Sequence, residues 1–156
     1  MNKKPGSFLT VILVSAVLLS CQGPKLSTGK LHVFEDSQEM VAEAKAIIRE
    51  IAVADFKNYY FGAEDVYLID VRAETEFEGG NIDGAVLIPR GVLEFRIDHE
   101  NFWSGQGTVP PQKDSEIILY CRSGNRSALA AKTLIQLGYK NVYALKGGWN
   151  SWIEIK

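Results

Sequence analysis

Leu119-Tyr120-Cys121-Arg122-Ser123-Gly124-Asn125-Arg126-Ser127-Ala128 passes from an apolar run through a polar loop into a helical pattern. The run is Glu116–Tyr120, whose nearly continuous apolar character predicts a strand buried on both faces. The helical pattern covers Ser127–Leu137 and is closed by Gly138 as a C′ residue. Cys121 therefore stands at the carboxyl end of a buried strand, on a loop that runs straight into a helix. In an open α/β sheet that end faces the crevice where ligands bind. Backbone N–H groups of such a loop form an anion-receiving nest at the positive end of a helix, where a thiolate is favoured over a thiol. Arg122 and Arg126 add positive charge, and Gly124 permits a tight turn with no Cβ in the way. An inert core cysteine is not normally followed by Arg-Ser-Gly-Asn-Arg. The candidate nucleophile is Cys121, with Arg122, Ser123, Gly124, Asn125, Arg126 and Ser127 as its binding loop.

Outward from this loop the same alternation recurs. Val66–Val71, Ala85–Ile88 (ended by Pro89) and Val142–Leu145 read as further buried strands. Helical patterns lie between and after them, at Thr75–Glu78, Gly91–Ile97 and Trp149–Ile155. Strands alternating with helices predict an α/β fold, an open parallel sheet flanked by helices on both faces. Asp98–Lys113 holds Gly105, Gly107, Pro110 and Pro111 and reads as a long excursion of the functional or mobile kind. Upstream, Asp36 and Glu39 form a capping box, and Met40, Val41, Ala44, Ile47, Ile48 and Ile51 follow at helical spacing. They predict an amphipathic helix over 36–53, packed on its own domain. A second short helix is expected over Ala54–Tyr60, at the start of a domain covering 54–156.

The first twenty residues, MNKKPGSFLTVILVSAVLLS, are of another kind: two early lysines, no acid, and an apolar run from Phe8 to Leu19. At about 1.5 Å per residue that run spans roughly 18 Å, short of a ~30 Å hydrocarbon core. Residues 1–20 read instead as a secretory signal. Its end, Leu18-Leu19-Ser20-Cys21, resembles the lipobox of bacterial lipoproteins. That resemblance implies cleavage before Cys21, lipidation of Cys21 and a tether over 21–35. The expected product is an exported lipoprotein, anchored in a membrane and facing the periplasm or the cell exterior. Cys121 is then the only free thiol, which in an exported protein calls for a reason.

With 156 residues, 46% of them apolar, the chain is long enough for one packed domain. Net charge is −2 and no basic stripe is visible, which argues against a nucleic-acid partner. Two cysteines build no disulfide framework. His32 and His99 have no partner at metal-ligand spacing, so no metal is expected.

Three ordered motifs carry a resemblance. The first is Asp70-Val71-Arg72 with Glu76-Phe77 and Gly80-Asn81-Ile82-Asp83-Gly84-Ala85; the second is the Cys121 loop; the third is Leu145-Lys146-Gly147-Gly148-Trp149 with Trp152. From about Phe56 to Ile155 the chain resembles a single rhodanese domain, with Asn81 and Asp83 where that family usually has His and Pro. The resemblance implies a sulfurtransferase. Cys121 would take sulfur from a thiosulfate-like or persulfide donor, hold it as a persulfide among the loop amides, and pass it to a thiol or to cyanide. It implies no cofactor, and a bracing role for Asp70, Arg72 and Glu76. Two other readings stand beside it. One is a rhodanese-like module that carries persulfide or senses redox state without turnover. The other is a cysteine phosphatase, but phosphatases place five residues between cysteine and arginine, and here four separate Cys121 from Arg126. That loop is one residue short for a tetrahedral phosphate.

Overall fold

The computed structural model describes residues 32–155, so the expected signal segment, the Cys21 lipidation site and most of the tether lie outside the described residues. Five parallel strands form one sheet in the order β1-β5-β4-β2-β3: β1 (Arg49–Ile51), β2 (Val66–Asp70), β3 (Val86–Leu87), β4 (Glu116–Tyr120) and β5 (Asn141–Leu145). The helices are α1 (Ser37–Ile47), α2 (Val53–Asp55, continuing as a π-helical turn over Phe56–Tyr60) and α3 (Glu74–Glu78). A 3₁₀ turn at Arg90–Val92 leads into α4 (Leu93–Arg96), followed by α5 (Glu100–Gly105), α6 (Asn125–Gln136) and α7 (Gly148–Glu154).

Strand periodicity builds both layers of the core. Ile117 and Leu119 of β4, with Val142 and Ala144 of β5, join one buried cluster with Leu93, Trp103, Ala130 and Leu134 from α4, α5 and α6. Ile118 and Tyr120, with Leu145, join the other, with Val53, Phe56 and Trp152 from the α2 segment and α7. Side chains of a strand alternate between faces, so a run that is apolar throughout must be covered on both. The expected α/β sheet with helices on both faces is what forms.

Three features differ from the sequence reading. The predicted helix over 36–53 ends at Ile47; Ile48 turns extended (φ −89°, ψ 169°), and Arg49–Ile51 becomes an edge strand in register with Tyr143–Leu145. Ile47, Ile48 and Ile51 fit a helical period, but three residues are too few to display alternation, and pairing with β5 settles the conformation. The domain consequently starts ahead of residue 54, and α1 packs on α6 within the same compact unit. The excursion at Asp98–Lys113 is anchored by α5: Trp103 is fully buried, and its indole N–H donates to the carbonyl of Ile97 at 2.9 Å.

Candidate active site

β4 is the central strand, and the chain leaves it at Cys121, beside the carboxyl end of β2; the Val71 N–H donates to the Tyr120 carbonyl at 2.9 Å. Cys121 is 1% exposed. Its Sγ accepts from the Gly124 N–H at 3.2 Å and lies 3.6 Å from the Ser127 hydroxyl. That hydroxyl also reaches the Gly124 carbonyl at 3.1 Å. It has one proton for two acceptors, and an ionised sulfur is the stronger of them. Gly124 takes φ +93°, which an L side chain rarely adopts, and α6 starts directly after it. The amino end of a twelve-residue helix thus faces the sulfur.

The loop is held from behind by the last helix. The carbonyls of Cys121 and Arg122 accept from the N–H groups of Trp149 and Asn150 at 2.7 and 3.0 Å. With these carbonyls turned to α7, the Gly124 amide is free to point at the sulfur. A Cβ on Gly148 would lie 2.2 Å from the Cys121 carbonyl oxygen, and one on Gly147 would lie 2.0 Å from the Ser151 hydroxyl. Both positions also have positive φ, so glycine is required twice over. In the sequence alone Gly147-Gly148-Trp149 is a mark of resemblance and not a part of the candidate site. Adjacent glycines one residue past the end of a strand were the available signal.

The three bracing candidates belong to two ion pairs, the second completed by Arg126. Asp70 and Arg72 are both buried and form one ion pair: the Arg72 Nε donates to Asp70 at 2.8 and 3.0 Å, and a terminal nitrogen donates to Oδ2 at 2.7 Å. The same guanidinium donates to the Gly80 carbonyl at 2.7 Å and lies 4.7 Å from the Trp149 ring centroid. Burial is the largest single influence and opposes its charge, but the hydrogen bonds and charge of Asp70, with a smaller contribution from Tyr120, together outweigh it and push the guanidinium up. Neighbouring Tyr120 stays neutral, because burial pushes its phenol up.

Glu76 instead pairs with Arg126. Two nitrogens of Arg126 donate to the two oxygens of Glu76 at 2.7 and 2.8 Å, and the Ala73 N–H donates to Glu76 at 3.2 Å. Arg126 was expected to lend positive charge to the loop, but its donor fork faces a carboxylate, so much of that charge is neutralised locally. Arg122 and Ser123 are exposed at the mouth of the loop, Asn125 opens α6, and Asn81 donates to the Phe77 carbonyl at 3.3 Å.

The Arg126 hydrogen bonds pull the Glu76 carboxyl from 4.5 down to about 2. A depressed acid stabilises the fold fully above its unfolded value, and the contribution fades as pH falls through its folded value. Wild-type protein should therefore melt a few degrees above Glu76→Gln at neutral pH. The gap should close as pH falls from 4.5 to about 2. Thermal melts of both proteins across that range check this; a gap independent of pH would mean the carboxylate contributes nothing through its charge.

A rhodanese-like domain model matches residues 52–155. The chain is 42% identical over 93 residues to a rhodanese domain-containing protein of Drosophila melanogaster, covering 58% of this chain and 84% of that one. It is 32% identical over 106 residues to a sulfurtransferase of Allochromatium vinosum, covering 68% and 89%. Among solved structures, a protein of unknown function from Rhodopseudomonas palustris, described as a possible tyrosine phosphatase, superposes with a TM-score of 0.66 at 33% identity, covering 80% and 94%. The chain belongs to the rhodanese-like domain family, and sulfur transfer is the class of chemistry its relatives support.

Proposed function

We propose that this protein moves a sulfane sulfur from a small donor to a thiol acceptor through a persulfide on Cys121. The observation that carries the reading is the Cys121 sulfur facing the Gly124 N–H at 3.2 Å and the Ser127 hydroxyl at 3.6 Å, at the head of α6. With thiosulfate as donor, the thiolate attacks the outer sulfur. The new Cys121 S–S bond forms as the donor's S–S bond breaks, and the electron pair leaves with sulfite. An acceptor thiolate then attacks the outer sulfur of the persulfide, forming its own persulfide and returning the Cys121 thiolate. The amide and hydroxyl that face Sγ are fixed before the donor arrives, so the anionic sulfur meets a preorganised environment. A phosphatase reading fits less well. Four residues separate Cys121 from Arg126, and Arg126 is engaged by Glu76.

The test is the mass of the protein after incubation with thiosulfate, followed by steady-state transfer to cyanide and to a thiol. One added sulfur on Cys121 and ping-pong kinetics are expected. Stoichiometric persulfide without turnover would favour the carrier reading. Hydrolysis of an aryl phosphate faster than sulfur transfer would overturn both.

A further inference from the structure

We propose that Glu76 is a specificity-determining residue: by neutralising Arg126 it turns the Cys121 loop away from dianionic sulfur donors and toward donors of lower charge. The inference rests on the sulfur-transfer reading above and adds to it the charge class of the donor.

Arg126 is the second residue of α6, in the loop that carries Cys121. A guanidinium beside a reactive sulfur ordinarily offers two parallel N–H groups to an oxyanion. Here each terminal nitrogen donates to one oxygen of Glu76, at 2.7 and 2.8 Å, so the parallel fork faces the carboxylate. The carboxylate is not a loose partner, since Oε2 also accepts the Ala73 N–H at 3.2 Å, which fixes it to the first turn of α3. The end of α3 is itself fixed, because the carbonyl of Gly80 is gripped by buried Arg72 at 2.7 Å and the Gly80 backbone lies against the Trp149 ring. Arg126 is nevertheless within electrical reach of the nucleophile. Its charge is held first by hydrogen bonds to Glu76, against the cost of burial, and the Cys121 sulfur adds to that hold. Thiolate, guanidinium and carboxylate together carry one net negative charge. A donor with two negative charges meets that excess twice as strongly as a donor with one.

Thiosulfate and methanethiosulfonate separate the charge from the chemistry. Both deliver a sulfane sulfur from an oxidised sulfur centre, and a methyl group replaces one charged oxygen in the second. The donor half-reaction is followed as the rate of persulfide formation on Cys121. Glu76→Gln keeps an acceptor oxygen for Arg126 and removes the charge. It should raise the preference for thiosulfate over methanethiosulfonate about fivefold, the scale expected for one charge near a partly solvated site. Added salt should shrink the gain. Glu76→Asp keeps the charge and should stay near the wild-type ratio. Arg126→Gln leaves the carboxylate uncompensated and should move the ratio the other way, which supplies a second reading if Glu76→Gln folds poorly. An unchanged ratio in both neutral variants, or a shift toward methanethiosulfonate in Glu76→Gln, overturns the proposal. Wild-type protein that gains no sulfur from either donor would instead overturn the sulfur-transfer reading itself.

Discussion

Cys121→Ser should abolish persulfide formation and reduce sulfur transfer to the uncatalysed background. A serine hydroxyl is not ionised at neutral pH, and an oxygen at that position cannot build the persulfide that carries the cargo. The fold should survive the change. Serine is close in shape to cysteine, and its oxygen can accept from the Gly124 N–H that now serves the sulfur at 3.2 Å. An unchanged melting curve would separate lost chemistry from lost structure. The decisive measurement is the intact mass after incubation with the donor. A gain of one sulfur on the serine variant, or retained turnover, would move the reaction away from this loop.

The largest effect on stability is expected from Arg72→Ala. Removing one member of a buried ion pair leaves the other charge uncompensated, at a cost of about 3–5 kcal/mol. Asp70 is fully buried, so it cannot turn to water for relief. For a domain of this size that corresponds to a melting temperature lower by roughly 10–20 °C. The Gly80 carbonyl would lose its donor as well, and the Trp149 ring its cation. Asp70→Asn combined with Arg72→Met removes both charges and should be less damaging than Arg72→Ala alone. Thermal melts of the single and double variants test this. A double variant as unstable as the sum of its parts would show that packing, not charge, is what Arg72 contributes.

Legibility in the sequence followed the range of the interactions involved. β2, β4 and β5 were readable because strands covered on both faces leave continuous apolar runs, and α6 because its period is long enough to show. The geometry of the Cys121 loop was readable for the same reason: strand end, cysteine, turn glycine and helix start are local. β1 was not, because Arg49–Ile51 owes its conformation to pairing with Tyr143–Leu145, more than ninety residues away, and Ile51 happened to fit a helical period with Ile47 and Ile48. The Glu76–Arg126 pair was hidden likewise. Each residue was marked for the site, but fifty positions separate them, and only the fold shows that the acid pairs with the arginine. Gly147 and Gly148 presented the opposite case, a conspicuous motif whose purpose depends on close approaches that only the fold creates: Ser151 against Gly147 and the Cys121 carbonyl against Gly148.

The seat of the Cys121 loop on α7 has a consequence for the order in which the protein becomes reactive. The N–H groups of Trp149 and Asn150 that hold the Cys121 and Arg122 carbonyls belong to the last helix of the described chain. During vectorial synthesis the cysteine emerges well before them, and strand β4 can pair with β2 while the loop still lacks its backing. The nascent protein therefore carries its thiol without the finished receptor around it, and the site is completed only when the closing segment arrives. A chain cut after Leu145 would keep Cys121 and the sheet yet lose this last step, so completion of the cysteine loop is tied to the integrity of α7.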